Sequence, residues 1–187
     1  MPESPAKPAE EVREEEQQST SESIHRELLK GYLDDHDYDI FKALNEDGRI
    51  SDTELAEQVG LSRTAVRRRR EKLLDRGAVD VHAVIVLQEL DLAYADVLVK
   101  LNKTAPADDR DALIASLIDE ELVYSLDSCM GSYDLFVRLW HETLNDLKDY
   151  TWGIFENESV IEEYELVPMV YTWKAWDKEL DRPTKDS

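Results

Sequence analysis

One cysteine, Cys129, is all the thiol in this chain. Its isolation excludes an intramolecular disulfide and any zinc site built from several cysteines. The residues around it alternate apolar and polar, which predicts a small buried hydrophobe rather than a reactive thiol. Basic charge is also scarce, with 22 lysines and arginines against 43 acids and a net charge of −21. No apolar run approaches the roughly 20 residues of a membrane-spanning helix, and the opening MPESPAKPAEEVREEE has no feature of a secretory signal. These absences describe a cytoplasmic protein without a membrane partner. The four histidines, His25, His36, His82 and His141, show no spacing of a metal site or catalytic triad. No catalytic residue, metal site or cofactor is expected, and the chain is not read as an enzyme.

The basic charge that exists is concentrated. Between Ser62 and Arg76 lie seven basic and two acidic side chains, +5 within a chain whose remainder carries −26. That island sits inside SDTELAEQVGLSRTAVRRRREKLLDRG, residues 51–77. Ser51 and Glu54 form a capping-box pattern that starts a helix, with Leu55, Ala56 and Val59 on its apolar face. Gly60 supplies a turn, Leu61 points back to the core, Ser62 caps a second helix, and Gly77 stops it. Two short helices across a glycine form the unit that lays its second helix in a DNA major groove. Ser62, Arg63, Thr64, Arg67 and Arg68 project away from the Leu61, Val66 and Leu73 stripe and are candidates for base edges. Arg69, Lys72 and Arg49 are candidate backbone anchors. The plainer alternative for each cation is a surface ion pair worth about 0–1 kcal/mol; for Arg76 the two readings are even.

Periodicity divides the chain into an acidic tail (1–30) expected to be disordered, a winged helix-turn-helix (31–80), a linker strand (81–92), a second domain (93–176) and a C-terminal tail (177–187). Apolar periodicity is absent from the tail until Ile24, Leu28 and Leu29, where a short helix could lead into the first domain, and Val79–Leu87 alternates as a wing strand. The second domain reads as strand 94–101, helix 106–118 with Leu113, Ile114, Leu117 and Ile118 inward, strand 122–130, turn at Gly131-Ser132, strand 133–140, helix 144–155 and extended segment 160–173. Pro168 marks an edge, bulge or break in that last segment. The fold class is α+β: a winged helix-turn-helix followed by a ferredoxin-like β-α-β-β-α-β domain. Helices on one sheet face leave the other to find cover, and such a face usually dimerises.

An excess of carboxylates is unusual beside a DNA-binding helix. The expectation is a halophilic cytosol: at molar salt the Debye length is about 3 Å, so surface carboxylates repel one another little. Counterion release then contributes little to DNA affinity, and base contacts and shape must contribute more.

The runs LDDHDYDIFKALNEDGRIS (33–51), ELAEQVGLSRTAV (54–66), KLLDRGAV (72–79) and GSYDLFVRL (131–139) resemble the leucine-responsive regulatory protein (Lrp)/AsnC family of transcription regulators. The resemblance spans residues 33–173 and implies a homodimer or higher homo-oligomer that binds double-stranded DNA and senses an amino acid or related metabolite. It also implies an effector site at the Gly131-Ser132-Tyr133-Asp134 turn between subunits. On the residues alone this is an ordinary hairpin turn, although exposed amides and the Asp134 charge could meet both ends of an amino acid. Tyr133 with Trp140 or Trp152 would form an apolar wall. A small molecule there would bias subunit packing and the spacing of paired recognition helices. Arg70 departs from the family's aliphatic residue on the buried stripe; its head snorkels out, pairs with a carboxylate, or the helix is rotated. A tetrapyrrole-modifying enzyme resembling siroheme decarboxylase, and a metabolite-sensing oligomer without DNA binding, are the alternatives.

Overall fold

A computed structural model describes residues 24–156 and 158–180. The expected acidic tail falls outside these residues apart from 24–30, of which 24–29 form helix α1. The chain divides into two compact units at Ala83/Val84.

In the first unit, α2 (Asp35–Glu46) is capped by Asp34, whose side chain accepts from the Asp37 amide. Helix α3 (Asp52–Val59) begins with the reciprocal Ser51–Glu54 capping box. It ends at Gly60, whose φ of 67° is the left-handed conformation a residue without Cβ adopts at little cost. Helix α4 (Arg63–Asp75) starts at Ser62, whose hydroxyl accepts from the Ala65 amide. Gly77 follows at φ 62°. The core gathers Leu33, Tyr38, Ile40, Leu44, Ile50, Leu55, Val66 and Leu73.

The wing expected over Val79–Leu87 does not form. Val79 joins the helical core, and Val81 lies so close to Gly48 that an added Cβ there would be 2.7 Å from its Cγ1. Residues 80–86 carry no strand pairing, and Leu87–Leu90 is a 3-10 turn. Apolar alternation was present, but a strand is stable only beside a ladder partner. None of the described strands pairs with this segment.

In the second unit, β1 (Ala93–Leu101), β2 (Val123–Ser128), β3 (Leu135–His141) and β4 (Ile161–Pro168) form an antiparallel sheet in the order β2-β3-β1-β4. Helices α5 (Ala107–Asp119) and α6 (Leu144–Phe155) complete the β-α-β-β-α-β order. Ala95, Val97 and Val99 of β1 and Leu135, Val137 and Leu139 of β3 meet Leu113, Leu117, Leu147 and Phe155 of the helices. Ile118 was expected inward and is 67% exposed. One residue beyond Leu117 the helix has turned about 100°, off the Leu113/Leu117 stripe. The opposite sheet face places Asp96 beside Arg138 and Leu98 beside Phe136 in register. Strand β4 stops at Pro168 on the sheet edge, where a missing N–H is tolerated. The expected extension to Trp173 therefore ends early. A two-residue hairpin, β5 (Lys174–Ala175) with β6 (Lys178–Glu179), follows and carries the fold past the expected start of the tail at 177.

Candidate nucleic-acid interface and effector turn

The α4 arginines fall into three groups. Arg63 and Arg68 are exposed together with Ser62, Thr64 and Lys72, and no carboxylate pairs with Arg63, Arg68, Lys72 or Arg76 among the described residues. Arg67 is exposed and donates through Nε to Glu71 Oε1 at 2.9 Å, one turn along its own helix. Arg69 and Arg70 turn back toward the protein.

Arg69 was expected to anchor the DNA backbone. Its Nη1 instead lies 2.6 Å from both Asp34 Oδ2 and Asp37 Oδ1, and Asp37 is 7% exposed. The hydrogen bond to Asp34, then that to Asp37, holds the Arg69 guanidinium above its ordinary range. This arginine ties α4 to the start of α2, so its guanidinium is engaged within the unit instead of standing free on the outer face. The acids sit where the α2 N-terminus favours negative charge. Arg70 resolves to the carboxylate alternative: its Nη1 donates to the Ile50 carbonyl at 3.2 Å and to Asp52 at 3.3 Å. Arg49 is almost fully exposed, with Nε 3.8 Å from Asp47. The sequence offers Asp34 or Asp35 as the cap of α2, and Asp34 takes that place, but the pairing of Asp34, Asp37 and Asp52 with these arginines was missed. The available signal was the Leu33-Asp34-x-x-Asp37 run, two acids opening one helix before an arginine-rich one.

At the second candidate site Gly131 takes φ 149°, a value side chains other than hydrogen rarely adopt. Asp134 bolts the turn to β1. Its amide donates to the Val99 carbonyl at 2.8 Å, and its Oδ2 accepts from the Leu101 amide at 2.8 Å. Its carbonyl accepts from the Cys129 amide at 2.9 Å. Tyr133 donates its hydroxyl to Glu165 on β4 at 2.9 Å, and this bond raises the phenol's pKa. Lys100, beside these groups, pairs with Glu162 at 2.6 Å. The expected aromatic wall does not assemble within one copy. Tyr133 precedes β3 while Trp140 is seven residues along, roughly 23 Å at strand rise; Trp152 is 54% exposed on α6. Cys129, expected buried, is exposed because it lies one residue beyond the end of β2. Among the described residues no cluster of three or more histidine, cysteine or carboxylate side chains could hold a metal, and no helix is long and apolar enough to cross a membrane.

Comparison with known proteins agrees with this architecture. Residues 33–74 match the AsnC-type helix-turn-helix domain. An uncharacterised HTH-type transcriptional regulator of Pyrococcus abyssi is 33% identical over 139 residues, covering 74% of this chain and 90% of that protein. The crystal structure of PH0061, an HTH-type transcriptional regulator of Pyrococcus horikoshii, superposes with a TM-score of 0.68 at 26% identity over 80% of this chain and 98% of that one. The transcriptional regulator NMB0573 of Neisseria meningitidis, solved as an L-Met complex, gives a TM-score of 0.69 at 24% identity over 76% of this chain and 93% of its own. With relatives matched almost end to end through both units, the chain belongs to the Lrp/AsnC family of helix-turn-helix transcriptional regulators.

Proposed function

We propose that α4 enters the major groove of its operator, with Ser62, Arg63, Thr64, Arg67 and Arg68 at base edges and Lys72 and Arg49 on phosphates. The supporting observation is that Arg63, Arg68 and Lys72 stand exposed and, among the described residues, unpaired on a helix whose Arg69 and Arg70 are tied back to α2 and to the start of α3. The inward pairs fix the helix, and the outward cations remain available. Homo-oligomers bring two such helices to paired half-sites. The sheet face bearing Leu98, Phe136 and Arg138 is the surface through which copies associate, and the Gly131–Asp134 turn takes an amino acid or related metabolite. The L-Met complex of the Neisseria regulator supports that ligand class. Because Asp134 joins the turn to two β1 backbone groups, a ligand there shifts the turn against the sheet and so biases the assembly. The net charge of −21 supports a cytoplasmic setting at molar salt.

Binding of wild type and Arg67→Ala to duplex DNA, measured by footprinting at low and at molar salt, tests this reading. Arg67→Ala relaxes base preference at one position per half-site by about tenfold and leaves folding intact. Wild type folds and binds best at the higher salt. An unchanged footprint and affinity for Arg67→Ala discards its role. Full structure and tight binding at low ionic strength discard the halophilic setting.

A further inference from the structure

Among the described residues the Arg67–Glu71 pair differs from the other ion pairs on α4. Arg69 and Arg70 meet their acids through Nη1, so the outer end of each guanidinium faces the protein. Arg67 meets Glu71 through Nε, at 2.9 Å. A guanidinium presents two donor edges, one at the side through Nε and one at the end through Nη1 and Nη2. Holding the side edge leaves the end edge open, and that edge matches guanine O6 and N7.

Stability of α4 does not account for the pair. Its members are 68% and 57% exposed, and exposed pairs contribute little. The order is also the weaker one for a helix, with the base preceding the acid by four residues. Glu71 moreover places a negative charge on the face that meets phosphate, which lowers attraction to DNA of any sequence. What the pair does supply is orientation. A free arginine side chain has about 2 kcal/mol of rotamer entropy to lose on docking; one already held through Nε loses less, and only in the presented geometry. Arg63 and Arg68 have no such restraint among the described residues.

The geometry points to Glu71 as a positioning residue that sets the outer edge of Arg67 against a guanine, making this pair the specificity-determining element of the recognition helix. The inference rests on the DNA reading above. Glu71 lowers affinity for DNA in general and raises discrimination between sequences.

Selection from a randomised duplex library at molar potassium chloride, using the full-length chain, tests it with wild type, Glu71→Ala and Glu71→Gln. Glu71 is exposed, and circular dichroism verifies that both variants fold. Wild type enriches a guanine at one position per half-site. Glu71→Ala binds the unselected library at least as tightly and loses about tenfold in guanine preference. Glu71→Gln, uncharged but with an amide oxygen able to accept from Nε, keeps most of that preference. Equal behaviour of the two variants means that Glu71 acts through charge alone and overturns the proposal, as does an unchanged guanine preference in Glu71→Ala. A wild-type chain that enriches no sequence overturns the DNA reading, and the role of Glu71 with it.

Discussion

The unit up to Ala83 and the unit from Val84 are held together by different chemistry. The helical unit tolerates charge at the margin of its core: Asp37 is buried beneath Arg69, and Arg70 pairs with Asp52. In the sheet unit the buried polar side chains among the described residues are the neutral Gln88 and Thr151, and the core is a layer of valines and leucines between strands and helices. The difference follows from what each surface must do. A recognition helix carries cations on its outer face, so it has few apolar side chains with which to hold itself down. Val66 and Leu73 are the fully buried ones, and the inward arginines supply the remaining attachments. The strands of the sheet carry no such demand on their inner face and pack by apolar contact alone.

Truncating the sheet unit's core is the largest blow either unit can take. Phe155 is 1% exposed, and Phe155→Ala should destabilise the unit by about 4 kcal/mol. All four tryptophans lie beyond Ala83, so tryptophan emission reports on the sheet unit while far-ultraviolet circular dichroism reports on both. Phe155→Ala lowers the denaturant midpoint of the emission transition. Arg69→Ala is next. It leaves Asp37 buried without its cation, and removing one partner of a buried pair costs about 3 kcal/mol. That loss appears in circular dichroism and not in tryptophan emission. Should each substitution shift both signals equally, the two units unfold as one and the contrast fails.

The helical unit was the more legible of the two because its signals are local. The Ser51–Glu54 box, the Ser62 cap and the left-handed Gly60 each act within four residues, so spacing alone reveals them. The β-α-β-β-α-β order was legible from periodicity, with strand ends off by as much as five residues where Ser128, Leu135 and Pro168 set the true limits. The Gly131–Asp134 turn was legible only as a turn. Its fixing contacts join Asp134 to Leu101 across 33 positions and Tyr133 to Glu165 across 32, and no window along the chain sees such pairs. The Arg69 clamp hid for the same reason, 32 positions separating it from Asp37. The wing misread has a different origin. Residues 79–87 carry the alternation of a strand, but alternation reports a preference, and pairing needs a neighbour.

The smallest effect sets two carboxylates against each other. Desolvation pushes Asp34 up, yet the Arg69 hydrogen bond and the Asp37 and His36 amides outweigh it and leave its pKa below the ordinary 3.8. A depressed folded value contributes stability above the unfolded one, and that contribution is lost as pH falls through the folded value. Asp96 is the reverse. Desolvation on the open sheet face raises it, and Arg138, 3.5 Å away, offsets only part. Its favourable contribution is present below the unfolded value and is lost as pH rises through the folded one. Acidification from about pH 6 to about pH 2.5, through and below the ordinary carboxylate range, therefore takes stability from the helical unit through Asp34 and returns some to the sheet unit through Asp96. Asp34 is 55% exposed, so screening keeps its share below about 1 kcal/mol. The measurement is the gap between emission and circular-dichroism midpoints at the two pH values. Asp34→Asn, which still caps α2, narrows the pH-dependent change from the helical side, and Asp96→Asn narrows it from the sheet side. A gap that ignores pH, or a pH response that neither substitution alters, removes both carboxylates from the comparison.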